Sequence, residues 1–137
     1  MIALMPIKPP YAAEILSGNK KVEFRRTKFK RDVQYIVIYS SHPVKKIVGY
    51  FAVNQIDETT PNIAWETYGD VGSIDRESFD KYYQGTEQAY VIGIEKVVSF
   101  DNQLALSDLC DDLQAPQSYR YLSSDLFEKA KLANLSL

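Results

Sequence analysis

Apolar and polar positions alternate with period two in some stretches of the chain and recur at helical spacing in others, and the changes between the two periods outline its elements. Ile2–Ile7 is an apolar run of strand length. Pro9 and Pro10 then stand where prolines initiate helices. Tyr11, Ala12, Ile15 and Leu16 follow at helical spacing and Gly18 supplies a left-handed stop, so the pattern predicts a short helix over Pro10–Ser17. Lys21–Arg26 alternates, with Val22 and Phe24 on one side and Lys21, Glu23 and Arg25 on the other, which is expected to be the outer face of a strand. Tyr35–Ser41 and Lys46–Ile56, rich in Val, Ile and Tyr, read as two further strands joined by a turn that contains Pro43.

Pro61–Tyr68 reads as a helical turn carrying Trp65, and Ser73–Tyr83 as a helix capped by Ser73 and ended by Gly85. Ala89–Phe100 is the longest strand-like run. Leu104–Leu113 and Ser124–Leu135 read as two helices separated by the PQSYRYL segment. Five or six strands with short helices between them and at the end predict an α+β fold, a small mixed barrel rather than a layered parallel sheet. The strands do not alternate with long crossover helices, and neither a Gly-rich dinucleotide fingerprint nor a Walker loop occurs, which excludes nucleotide-triphosphate folds of those types. A length of 137 residues fits one domain over 1–137.

Composition changes this picture little: 45% hydrophobic and 25% charged residues are ordinary globular values. No apolar run approaches the length of a membrane span, and Met1–Lys8 has no secretory pattern, so a cytoplasmic location is expected. One cysteine, Cys110, and one histidine, His42, exclude an internal disulfide and a zinc site of the usual Cys/His kind. No metal and no cofactor are assigned. Cys110 reads as a small core residue, and Asp108, Asp111 and Asp112 as acids complementing a helix N-terminus.

Charge is more informative. The net charge of −2 conceals a basic first part, with residues 1–56 at +7 and the remainder at −9. The densest stretch, Lys20–Arg31, holds seven cations in twelve residues with Phe24 and Phe29 interleaved, a pattern compatible with nucleic-acid contact. Its plain alternative is a solvated basic hairpin. Arg25 and Arg26 can fork onto phosphate, while Lys20, Lys21, Lys28 and Lys30 offer point charges. Tyr39, Trp65 and Tyr119 are candidate stacking surfaces for bases, each with core packing as its ordinary alternative.

Gly18, Lys20, Glu23 and Arg25 form G-x-K-x-x-E-x-R after the short helix. IYSSHP, IVGYF, Trp65-Glu66 and PQSYRYL follow in that order. Taken together the chain resembles the ASCH domain family, with a PUA-like β-barrel, from Ile2 to about Leu122, followed by a C-terminal helix. The resemblance implies a basic cleft between the first helix and the barrel that takes RNA or a modified nucleotide or nucleoside. The resemblance lines that cleft with Lys20, Glu23 and Arg25, and the candidate ligand contacts are these three together with Arg26, Tyr39, Ser41, Trp65 and Tyr119.

The resemblance also carries an enzymatic reading. Some small ASCH-fold bacterial proteins are amidohydrolases that release acetate from acetylated cytidine, with a lysine in the position of Lys20, a threonine three residues later and a distant glutamate. Here the lysine matches but the threonine position holds Glu23, and neither Thr27 nor Ser40 restores a hydroxyl at that spacing. Lys20 with Glu23 or Glu66 could still serve as acid and base, against the simpler reading of Lys20–Glu23 as an ion pair shaping the cleft. Ribonuclease activity is likewise associated with family members. His42 is the first general base to consider for it, although a Ser-His-Pro turn suits a structural role. A third reading is a protein-interaction module in transcription regulation.

Overall fold

The computed structural model describes residues 1–135, so the last two residues of the expected 1–137 domain lie outside the described residues. Six strands form one mixed sheet: β1 (Ile2–Ile7), β2 (Val22–Arg25), β3 (Tyr35–Ser40), β4 (Lys46–Thr59), β5 (Ala89–Leu104) and β6 (Arg120–Leu122), in the spatial order β2-β5-β4-β3-β1-β6. Among the described residues only β1 and β3 pair in parallel. Five short α-helices accompany them among the described residues: α1 (Pro9–Leu16), α2 (Pro61–Tyr68), α3 (Arg76–Tyr83), α4 (Leu106–Leu109) and α5 (Ser124–Leu132). The α+β architecture is the expected one. The sheet curls without closing, so its backbone ladder stays open between the edge strands β2 and β6.

Three apolar clusters cover the sheet. Ala3, Met5, Ile36, Ile38, Phe51 and Ile92 pack with Ala12 and Ile15 of α1. On the other face Leu4, Val37, Tyr39 and Phe100 meet Leu109 of α4 and Phe127 of α5. Val22, Phe24 and Val91 lie beneath Ala64 of α2 and Phe79 and Tyr83 of α3. Central strands covered on both faces read as unbroken apolar runs, which is why Tyr35–Tyr39 lacks alternation.

Several expectations are corrected. The exposed outer face assigned to β2 is an inner face at Glu23, which is 6% exposed and held between Lys20 and Arg25, while α2 and α3 cover the strand's other face. The cap of α3 is Asp75, whose carboxylate accepts from the Ser78 amide at 2.7 Å, while Ser73 sits in a turn at φ 50°. The Leu104–Leu113 helix shrinks to the single turn α4, since β5 continues to Leu104 and Cys110 is extended. Cys110 is therefore exposed rather than in the core. The PQSYRYL connector contains β6, a three-residue strand whose pairing with β1 is tertiary and leaves no local periodic signal.

Among the described residues no helix is long and apolar enough to cross a membrane, and no group of three or more His, Cys, Asp or Glu is placed to hold a metal ion.

Candidate functional site

The chain between α1 and β2 brings the quoted lysine, glutamate and arginine together. Gly18 takes φ +85°, a left-handed conformation that glycine adopts without a Cβ clash, and its amide closes α1 by donating to the Ile15 carbonyl. The turn lets the Lys20 amide donate to Glu14 and directs its side chain inward. Lys20 is only 2% exposed. Its Nζ lies 3.6 Å from Glu23 Oε1, donates to the Gly72 carbonyl, and stands over the rings of Tyr11 and Phe24 at 5.2 and 5.4 Å. Burial holds its pKa below the ordinary lysine value, opposed by the Glu23 carboxylate and, more weakly, by Glu14.

Glu23 is shared between two cations, since its Oε2 accepts from Arg25 Nη1 at 3.3 Å. The same guanidinium donates through Nη2 to the Ser118 carbonyl at 3.2 Å, and Tyr83 Oη donates to the Arg25 carbonyl at 2.9 Å. Burial raises the Tyr83 pKa far above the ordinary phenol value. Lys20, Glu23 and Arg25 thus form a chain of alternating charge, buried at Lys20 and Glu23 and part-buried at Arg25, in which each charge has a partner. The expected Lys20–Glu23 ion pair is present. Both partners of that pair are withdrawn from solvent, Lys20 against Tyr11 of α1 and the Gly72 carbonyl.

An open concavity lies next to this chain, a groove of about 800 Å³ between the basic Thr27–Gln34 loop and the β4–β5 ladder. Register connects the two regions. Arg25 and Glu58 each pair with Tyr90, and Glu23 and Ile56 each pair with Ile92, so these side chains lie in two rows across one face of the sheet. Glu58, Tyr90, Ile56 and Ile92 line the groove. Lys28 crosses its mouth to Glu58 at 3.6 Å, with Lys30 and Arg31 beside it. Hydroxyls moor the basic loop: Tyr119 Oη accepts from the Lys30 amide at 3.3 Å, Tyr121 Oη from the Arg31 amide at 2.9 Å, and Thr27 Oγ1 lies 3.2 Å from Ser118 Oγ. The loop is held against β6 while Lys28, Lys30 and Arg31 stay exposed.

The remaining candidates are dispersed. Arg26 is exposed and stacks on the Tyr82 ring at 4.8 Å. Tyr119 is half-buried and packs edge-on against Phe29 at 4.6 Å. Tyr39 fills the core on the opposite sheet face, and Ser41 opens the exposed turn that holds His42. Trp65 lies between Phe79 and Arg76, and Glu66 is exposed on α2 without an ion pair to Lys20. Sequence reading passed over Gly72, Ser118, Tyr83, Glu58 and Tyr90. Ser118 stood inside a quoted motif, but the others meet the site only through tertiary contacts or cross-strand register.

The family model described as the ASCH domain matches residues 5–98. A curated relative from Zymomonas mobilis, described as an ASCH domain-containing ribonuclease, is 29% identical over 137 residues, covering 98% of this chain and 91% of the relative. A crystal structure of ASCH from Zymomonas mobilis superposes with a TM-score of 0.89 at 27% identity, covering 96% of this chain and 94% of that one. The N-terminal domain of Staphylothermus marinus McrB, 10% identical with a TM-score of 0.62, covers 96% of this chain and 93% of its own and shares the fold alone.

Proposed function

The chain belongs to the ASCH domain family, and on that premise we propose that it binds single-stranded RNA in the groove between the basic loop and the β4–β5 ladder. The observation that carries this reading is the groove's lining: Lys28, Lys30 and Arg31 on one wall, Phe29 and Tyr90 among its aromatic surfaces. Cations moored on a fixed loop suit phosphates, and aromatic faces suit unstacked bases, which is the combination single strands require. Arg25 serves as a positioning residue, because its bonds to Glu23 and Ser118 tie β2 to the segment that anchors the loop.

The test is fluorescence anisotropy with a labelled twelve-nucleotide RNA and its DNA equivalent at low and high salt. The expected result is RNA affinity that falls steeply with salt, as phosphate neutralisation demands. Absence of binding at low salt, or affinity indifferent to salt, overturns the reading.

A second reading, RNA cleavage, is favoured by the ribonuclease description of the Zymomonas mobilis relative. Strand cleavage without a metal needs a group that takes the 2′-hydroxyl proton and a cation that stabilises charge on the attacked phosphate. The buried Lys20–Glu23 pair would act there by positioning Arg25. Denaturing gels of the same binding mixtures test this directly: shortened products ending in a 2′,3′-cyclic phosphate support it, and intact RNA over long incubation removes it.

A further inference from the structure

Tyr90 stands apart from the other aromatic groups of the groove. Phe29 is engaged edge-on by Tyr119, which in turn packs against Tyr121. The Tyr90 ring has no aromatic partner and its hydroxyl no hydrogen bond among the described residues, although it lines the groove and is half-buried. Its cross-strand neighbour on β4 is Glu58. That carboxylate is one of two acids in the groove wall, the other being Asp32, and it is the one beside an aromatic ring; its partner Lys28 is exposed as well. A carboxylate beside phosphates is unfavourable unless something other than phosphate faces it. The two oxygens of an ionised carboxylate are acceptors only. Guanine presents two adjacent donors, N1–H and the N2 amino group, on its Watson–Crick edge, whereas adenine, cytosine and uracil each interrupt a donor with an acceptor.

We infer that the groove reads a guanine in single-stranded RNA: Tyr90 supplies the stacking face, Glu58 accepts from guanine N1–H and N2–H, and Lys28, exchanged from Glu58, takes an adjacent phosphate. The inference rests on the RNA-binding reading and specifies its base. Direct carboxylate readout of one edge, with an aromatic ring at the neighbouring register position, is the means by which an unpaired base is selected once the backbone has been bound without regard to sequence.

The experiment uses the full chain and oligouridine RNAs that carry a single central guanine, inosine, adenine or cytosine, with anisotropy as readout. Guanine is expected to bind about tenfold more tightly than adenine or cytosine, the scale of one bidentate base contact. Inosine, which lacks the N2 amino group, should fall between them. Glu58→Gln should abolish the guanine preference, read as the ratio of affinities among the four RNAs, and Tyr90→Ala should weaken all four. Unfolding curves of both variants should match the parent, since both residues lie at the groove rather than in the core clusters. RNA binding without a base preference, or a guanine preference that survives Glu58→Gln, overturns this inference and leaves the binding reading standing. No binding of any RNA removes both.

Discussion

The guanidinium of Arg25, at the end of β2, donates to the backbone carbonyl of Ser118 at the entrance to β6, so one side chain joins the two edge strands that the backbone ladder leaves apart. Lysine cannot reproduce this, because the same planar group must also hold Glu23. We expect Arg25→Lys to lower stability by about 1–2 kcal/mol and Arg25→Ala by about 3 kcal/mol, the scale of charge-assisted bonds lost from a part-buried site. Urea unfolding checks the order, and an Arg25→Lys variant as stable as the parent would contradict it.

Lys20 is expected to be costlier to remove. Lys20→Ala leaves the Glu23 carboxylate with one cation and the Gly72 carbonyl without its side-chain donor, a loss of about 3–5 kcal/mol. The paired change Lys20→Met with Glu23→Gln should lose less than Lys20→Ala alone, since it removes both charges. A double-mutant cycle over Lys20→Met, Glu23→Gln and the pair measures the linkage, and single losses that simply add up to the double loss would show that the pair is not energetically linked.

Gly72 lets the ring of Phe24 close onto the turn that receives Lys20. A Cβ built there lies 2.3 Å from the Phe24 ring, so Gly72→Ala should shift the turn and cost about 1–3 kcal/mol. Thermal denaturation measures it, and an unchanged melting temperature would mean that the ring moves aside freely.

Alkaline pH should separate Tyr83 from the exposed tyrosines. Burial raises its folded pKa above the ordinary phenol value of 10.0. The unfolded chain therefore releases this proton first, and the stability associated with it is intact below pH 10 and is lost progressively as pH rises above it. Tyr82 shifts in the same direction, also by burial. Absorbance titration should show these phenols ionising only as the protein unfolds, and Tyr83→Phe should make the alkaline loss shallower. Ionisation of all ten tyrosines in one step without unfolding would refute the assignment.

Replacing Lys28, Lys30 and Arg31 together by alanine should weaken RNA binding and flatten its salt dependence by about 0.7 log units per log unit of salt for each phosphate contact removed. A slope unchanged in the triple variant would place the RNA on another face.

What could be read along the chain was whatever local physics controls. Prolines at the start and Gly18 at the end bounded α1, the apolar runs located β1, β3, β4 and β5, and the G-x-K-x-x-E-x-R spacing named the members of the buried charge chain. Density of positive charge singled out the segment whose later part, Lys28–Arg31, walls the groove.

Tertiary structure decided which of those charges meet solvent. Alternation assigns Glu23 and Arg25 a shared face, but only the curl of the sheet and the packing of α1 turn that face inward, so that Lys20 and Glu23 become a buried pair. It also joined residues far apart in sequence, Arg25 to Ser118 and Tyr90 to Glu58, through β6 and the β4–β5 register. A three-residue strand and a cross-strand neighbour leave no periodic signature, because their cause is contact between distant segments rather than the conformational preference of either one.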